Sequence, residues 1–202
     1  MSKLLPEFFR RQDERPDGYF YQHPRLVTHI DEAARGAAHS LYGELLPAGG
    51  HVLDLMASHV SHLPDKFAAV TGLGLNREEL SRNPLLSASL VFDLNRSETL
   101  PFEDARFDGA VCTVSVQYMT RPDDTFAEVA RSLKPGAPFV VTFSNRMFPS
   151  KAVLAWRAGD DASHVRLVRS YFKQTPAFGS TYSQHHQPRQ GDPLFAVWAY
   201  KK

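Results

Sequence analysis

Asp54, Ser58, His59, Ser61 and His62 crowd one stretch of eleven residues, DLMASHVSHLP (54–64), entered from the apolar run HVL. A carboxylate, hydroxyls and imidazoles at that density suit a cationic or hydrogen-bonding ligand, or proton transfer near neutral pH. Three more polar groups follow short apolar runs. Gly74-Leu75-Asn76 follows AAVTGL, Asp93-Leu94-Asn95 follows LVF, and Ser115, Gln117 and Tyr118 close FDGAVCTVSVQY. Arg146 sits in SNRMF, after PFVVTF. Each has a plainer reading. Asp54 would accept loop N–H groups, Ser58 and Ser61 would shape turns, Asn76 would cap a helix and Asp93 would cap the turn DLN. Tyr118 would pack in the core, Arg146 would join a surface ion pair, and Tyr19, Tyr21 and Trp156 would wall a pocket or simply pack. His59 and His62, with the adjacent pair His185 and His186, lack the Cys or carboxylate spacing of a zinc site, so no metal is expected. No pair of residues declares itself as a catalytic dyad, and catalytic residues stay unassigned.

The elements that must position these groups alternate. A helix carries Ile30, Ala33, Ala34, Ala37, Ala38, Leu41 and Leu45 at helical spacing, with Thr28 and Asp31 as a capping-box-like start and Pro47-Ala48-Gly49-Gly50 as its stop. Strands are expected at HVLDLMA (51–57), within 67–75, at Leu90-Val91-Phe92, over 107–116, at PFVVTF (138–143) and at FAVWAY (195–200). Helices are expected after Asn76, with Glu79 at the third position, and over 125–133, 151–157 and 161–172. Alternation of this kind predicts an α/β fold with a doubly wound, Rossmann-like, mostly parallel sheet covered on both faces. Ligands then bind outside the carboxyl ends of the strands, at the switch point beside the first one. One domain is expected, with an irregular segment at 1–27, a core at 51–143 and C-terminal strands and helices at 144–202.

The bulk numbers narrow the class. Lys plus Arg is 23 against 22 Asp plus Glu, so neither nucleic acid nor an anionic membrane is an expected partner. The single Cys112 excludes an internal disulfide and lies in an apolar run as a small buried hydrophobe. No apolar run approaches a membrane span, and the charged start lacks a signal-peptide centre, so a cytoplasmic location is expected. The oligomeric state is left open.

Four segments, in order, resemble class I S-adenosylmethionine-dependent methyltransferases, especially the type 11 group. VLDLMAS stands where that family has V-L-D-L-G-C-G, and VTGLGLNREEL where it has V-T-G-V-D-L-S-x-x-x-L. LPFEDARFDGAVCTVSVQYM resembles the approach to its fourth strand, and FAEVARSLKPGAPFVVTFSN its helix, turn and fifth strand. The resemblance implies a seven-stranded methyltransferase-type sheet. It also implies S-adenosylmethionine contacts at Asp54, Met56, Ala57, Ser58, His59, Leu75, Asn76, Asp93, Leu94 and Ser115. A small-molecule acceptor would lie near Tyr19, Tyr21, Gln117, Tyr118 and Arg146. Two departures stand out. Met56, Ser58 and Val60 occupy the family's glycine positions, where any positive φ now costs energy. Gly74 replaces the strand-end acid that binds the ribose hydroxyls, and Asn76 is the nearest polar substitute. DLMASHVSHLP with SNRMF (144–148) is similar to a glycine-poor subgroup of methyltransferase-like sequences.

Methyl transfer from a sulfonium needs positioning and desolvation more than acid–base help, so a missing dyad does not weigh against it. The same departures also describe a domain that keeps the fold, loses the methyl donor and serves as a binding module. Another nucleotide-like ligand is a third reading. A dinucleotide is disfavoured, because its pyrophosphate needs a glycine-rich helix start.

Overall fold

A computed structural model describes residues 5–202; the first four residues of the charged start lie outside the described residues. Short apolar runs become buried parallel strands because both of their faces are covered. These are β1 (His51–Leu55), β2 (Ala69–Gly74), β4 (Gly109–Thr113) and β5 (Pro138–Phe143); β3 (Ala88–Val91) is exposed at all its positions, and β6 (Tyr182–His186) and β7 (Leu194–Tyr200) follow. They form one seven-stranded sheet in the order β3-β2-β1-β4-β5-β7-β6. β1 to β5 run parallel, β7 is antiparallel to β5, and β6 is antiparallel to β7. The reversal of strand order at β1 and β4 puts the crevice at their carboxyl ends, as expected.

The helices are α1 (Asp17–Phe20), α2 (Glu32–Leu45), α3 (Arg77–Ser81), α4 (Pro122–Ser132), α5 (Leu154–Arg157) and α6 (Asp161–Gln174). In α2, Ala34, Ala38, Leu41 and Tyr42 form the buried stripe. Its alanines let the helix approach the sheet closely. Tyr42 is fully buried, and its hydroxyl shares 2.7 Å hydrogen bonds with the hydroxyls of Thr113 and Thr142, tying α2 to the ends of β4 and β5. The opposite face holds the larger core, where the Phe126 ring meets Phe139, Tyr171 and Phe172. Truncating Phe126 to Ala there would cost about 3–5 kcal/mol.

Several boundaries differ from the sequence reading. Asp31, not Thr28, caps α2, its Oδ1 accepting from the Ala34 N–H at 3.0 Å. α4 starts three residues before Thr125, at Pro122, whose fixed φ suits a first turn. β4 begins at Gly109, and Phe107 makes only a single bridge to Leu133. α5 omits Lys151, which is buried in the preceding turn. The segment read as irregular contains α1, and the polar stretch around His185 and His186 is the exposed edge strand β6. Among the described residues, no helix is long and apolar enough to cross a membrane.

Candidate functional site

β1 runs straight into a loop whose first residue, Met56, has φ 56°, a conformation an L residue adopts at a cost of ~1 kcal/mol or more. The positive φ falls on a residue that stands where the resembling family has glycine. The loop then crosses the end of β2, where the Ala57 N–H donates to the Leu73 carbonyl at 2.7 Å. This crossing explains Gly74. A β-carbon at residue 74 would collide with the Ala57 carbonyl oxygen and press Leu80 at 3.0 Å. At the neighbouring switch-point strand, Val114 also has a positive φ of 45°, an outlier for a β-branched residue.

These strained ends line a pocket of about 950 Å³ of atom-free space, its open mouth included. Its floor carries Asp54, Met56, Ala57, Ser58, Gly74, Leu75, Phe92, Asp93, Leu94, Val114 and Ser115. The N-terminal segment adds Tyr21, Arg25 and His29, and Tyr118 and Phe148 close the side after β4 and β5. That segment is clamped down by buried charges. Arg11 holds both oxygens of Asp17 at 2.7 and 2.8 Å, Lys151 lies 3.2 Å from Asp17, and Asn95 Nδ2 donates to Asp17 at 2.9 Å. Arg11 and Lys151 hold the Asp17 carboxyl below its usual value although burial pushes the other way.

Nine of the ten residues expected at a cofactor line this pocket. His59 does not; its Nδ1 lies 3.3 Å from Ser58 Oγ. Asp54 is 4% exposed and accepts from the Ser61 hydroxyl at 2.5 Å rather than from loop N–H groups. Burial pushes its carboxyl up to about 7, against the pull of that hydroxyl. Asn83 Nδ2 steadies the loop from α3's far end, donating to the Ser58 carbonyl and Ser61 Oγ at 2.8 and 2.9 Å. Asn76 spends its side chain on structure. Its Oδ1 caps α3 at the Glu79 N–H, and its Nδ2 donates to the Tyr21 carbonyl. Asp93 caps its turn at the Asn95 N–H, 3.0 Å away, and burial raises its carboxyl. Ser115 Oγ donates to the Thr113 carbonyl.

Of the five residues expected at a substrate, Tyr21 and Tyr118 line the pocket. The Tyr118 hydroxyl accepts from the Phe148 N–H at 2.8 Å. Tyr19 is 70% exposed and stands outside the pocket. Arg146 pairs with Asp192 at 2.7 Å, and Gln117 is buried beneath the site, donating to the Val114 carbonyl. Trp156 belongs to the core, stacked on His164 at 4.0 Å, not to a pocket wall. Cys112 is fully buried in β4, and burial pushes its thiol up. His62 lines the pocket with its imidazole pushed down to about 4 by burial, so it is neutral at pH 7. His185 and His186 lie on β6, four strands from β1.

Pocket residues missed in the sequence include Arg25, His29, Glu79, Phe92 and Phe148. Arg25 lies over the Phe20 ring at 4.2 Å and donates to the Phe20 carbonyl, and no carboxylate pairs with it among the described residues. The aromatic crowding of 8–21 pointed to this segment, but not to which residues it would turn inward.

Residues 50–141 match the family model described as a methyltransferase domain. The biotin biosynthesis bifunctional protein BioHC of Teredinibacter turnerae is 29% identical over 155 residues. That match takes in 72% of this chain and only 27% of the relative's length. Among solved structures, an S-adenosylmethionine-dependent methyltransferase of Thermotoga maritima superposes with TM-score 0.59 at 16% identity, over 84% of this chain and 89% of its own. The [4+2]-cyclase SpnF superposes with TM-score 0.60 at 15% identity, over 91% of each chain. Phosphoethanolamine N-methyltransferase 2 of Haemonchus contortus, solved with S-adenosyl-L-methionine, gives 0.58 at 13% identity, over 82% of this chain and 52% of its own. At those identities the likeness is one of fold: the chain has the class I methyltransferase architecture.

Proposed function

We propose that this chain, a class I methyltransferase in fold and in its central segment, binds S-adenosylmethionine across the ends of β1 to β4 and methylates a small molecule. The observation that carries the reading is the acceptor set of the pocket. Asp54, Glu79 and Asp93 place three acidic side chains along one crevice with apolar Leu75, Phe92 and Leu94 between them. S-adenosylmethionine offers the complementary set: an ammonium and a sulfonium, a vicinal diol, a flat adenine and its exocyclic amine. The residues present therefore fit it. Asp54 would face the ammonium end and Asp93 the adenine amine, with Leu75 and Leu94 against the ring.

When bound, that molecule supplies an electrophilic methyl group. The chain's part is to orient the acceptor and keep water out. Tyr21, Tyr118 and Phe148 give the acceptor a mostly aromatic wall, and Arg25 offers a cation to an acceptor bearing negative charge. The whole activity of the longer relative is not carried over, and SpnF illustrates that the fold alone does not name the reaction.

Calorimetric titration with S-adenosylmethionine and S-adenosylhomocysteine tests the reading first. Saturable one-to-one binding of either supports it, and a screen with methyl-labelled donor then identifies the acceptor. A second reading, a donor-less binding module, is favoured by Met56 at a glycine position and by the loop lying across Gly74. It gains if neither ligand binds.

A further inference from the structure

β2 has no room for an acid at its end, because the Ala57 carbonyl occupies the place where the side chain of residue 74 would start. The helix that follows delivers one instead. Glu79 is 5% exposed, and its carboxylate faces the same pocket. Its spacing from Asn76 suits a reciprocal capping box, but only half of the box forms. The Glu79 N–H donates to Asn76 Oδ1, while the carboxylate turns away from the cap and into the crevice. There Oε1 accepts from the Arg25 backbone N–H at 2.7 Å and Oε2 accepts from the Ser58 hydroxyl at 2.6 Å.

Both donors are neutral. Among the described residues no Lys, Arg or His forms an ion pair with Glu79. A buried carboxylate with one neutral donor per oxygen is under-satisfied, since two oxygens have about four lone-pair sites. It is also held in one orientation, by Ser58 from the β1 loop and Arg25 from the N-terminal segment. Two acceptor oxygens side by side match two vicinal hydroxyls, each donating one hydrogen bond. Arg25 meets Glu79 through its backbone N–H, while its guanidinium lies over the Phe20 ring and does not fill this acceptor site.

We infer that Glu79 is the residue that recognises the ribose diol of the nucleoside ligand, a helix-borne acid doing what the closed end of β2 cannot. The inference rests on the proposed S-adenosylmethionine reading of the pocket. It makes Gly74 and Glu79 a coupled pair: the glycine lets the loop cross, and the crossing loop brings Ser58 to aim the glutamate.

The test is calorimetric affinity for S-adenosylhomocysteine and for its 2′-deoxy analogue, in the wild-type protein and in Glu79→Gln. A hydrogen bond to a charged acceptor corresponds to roughly tenfold to a hundredfold in affinity. The wild type should prefer the ribose ligand by that factor, and Glu79→Gln should lose most of the preference. The preference is a ratio within each protein, so a general loss of fitness does not move it. Should Glu79→Gln fail to fold, Glu79→Asp, one methylene shorter with its charge kept, should lower the same ratio. An undiminished preference in a variant that binds, or no preference in the wild type, overturns the role of Glu79 and leaves the cofactor reading standing. A wild type that binds neither ligand overturns the cofactor reading itself, and the inference with it.

Discussion

The Ala57 carbonyl oxygen lies directly over Gly74, where a β-carbon would have to go. That relationship decides what the end of β2 can carry. Gly74→Asp, which would restore an acid at the strand end, should therefore damage the protein. Overpacking against backbone typically costs about 1–3 kcal/mol, or roughly 2–10 °C in melting temperature for a chain of this size. The variant should also lose ligand affinity, because the loop carrying Ser58 must move. A Gly74→Asp protein as stable as the wild type, by thermal unfolding, would show that the loop does not cross the strand end.

Asp54 sets a pH dependence of stability. Its ordinary value is 3.8, and burial raises it to about 7 in the folded chain. Between those values the folded protein holds a proton that the unfolded chain has released. Asp54 therefore makes stability fall as pH rises from about 4 to about 7, and the loss levels off above that. Asp54→Asn removes the slope. Its stability relative to wild type should climb by about 1.4 kcal/mol per pH unit across the window, read by urea denaturation at pH 5, 6, 7 and 8. A difference that stays flat with pH would mean that Asp54 is not buried uncharged.

The clamp on the N-terminal segment is a buried one. Asp17→Asn leaves Arg11 and Lys151 without their shared carboxylate, and removing one partner from such a cluster costs about 3–5 kcal/mol. Because the Asp17 carboxyl is held below its usual value, its contribution is present above pH ~4 and fades as pH falls through the folded value. Denaturant midpoints of wild type and variant should thus converge in acid. Ligand affinity should drop with the clamp, since Tyr21, Arg25 and His29 hang from the same segment.

Much of this was legible in the sequence, and the reasons differ by element. β1 and β5 announced themselves because they are buried almost throughout and read as short, mostly apolar runs. β6 did not, because YSQHH is exposed at all five positions and pairs only with β7, with Tyr182 stacked on Trp198 and His185 on Phe195. The cost of losing glycine at Met56 was readable, and the residue does sit at positive φ. The reason for Gly74 was not, because it depends on the path of the loop through Ala57. Glu79 read as half of a capping box, since local spacing is all a sequence displays. Its inward turn depends on the Arg25 N–H, 54 positions away, and on Ser58, 21 positions away. Trp156 reads by type more often as core than as pocket wall, and its packing against His164 places it in the core.

Relief of strain gives a gain-of-function test. Met56→Gly supplies the residue best suited to φ 56° and clears a side chain from the pocket. The relief, ~1 kcal/mol, should roughly offset the lost packing of a partly buried thioether. Stability should stay within about 1 kcal/mol of wild type, and S-adenosylhomocysteine should bind more tightly by calorimetry. Weaker binding would mean that Met56 is itself a ligand contact.

The most direct test of the central claim is thermal unfolding with and without S-adenosylmethionine or S-adenosylhomocysteine. A ligand at about 100 times its dissociation constant adds ~2.7 kcal/mol, or roughly 5–10 °C for a chain of this size. A rise of that order with either compound, absent with adenine alone at the same concentration, is the expected result. An unchanged melting temperature with both at millimolar concentration would contradict the claim and leave a methyltransferase fold that does not hold the methyl donor.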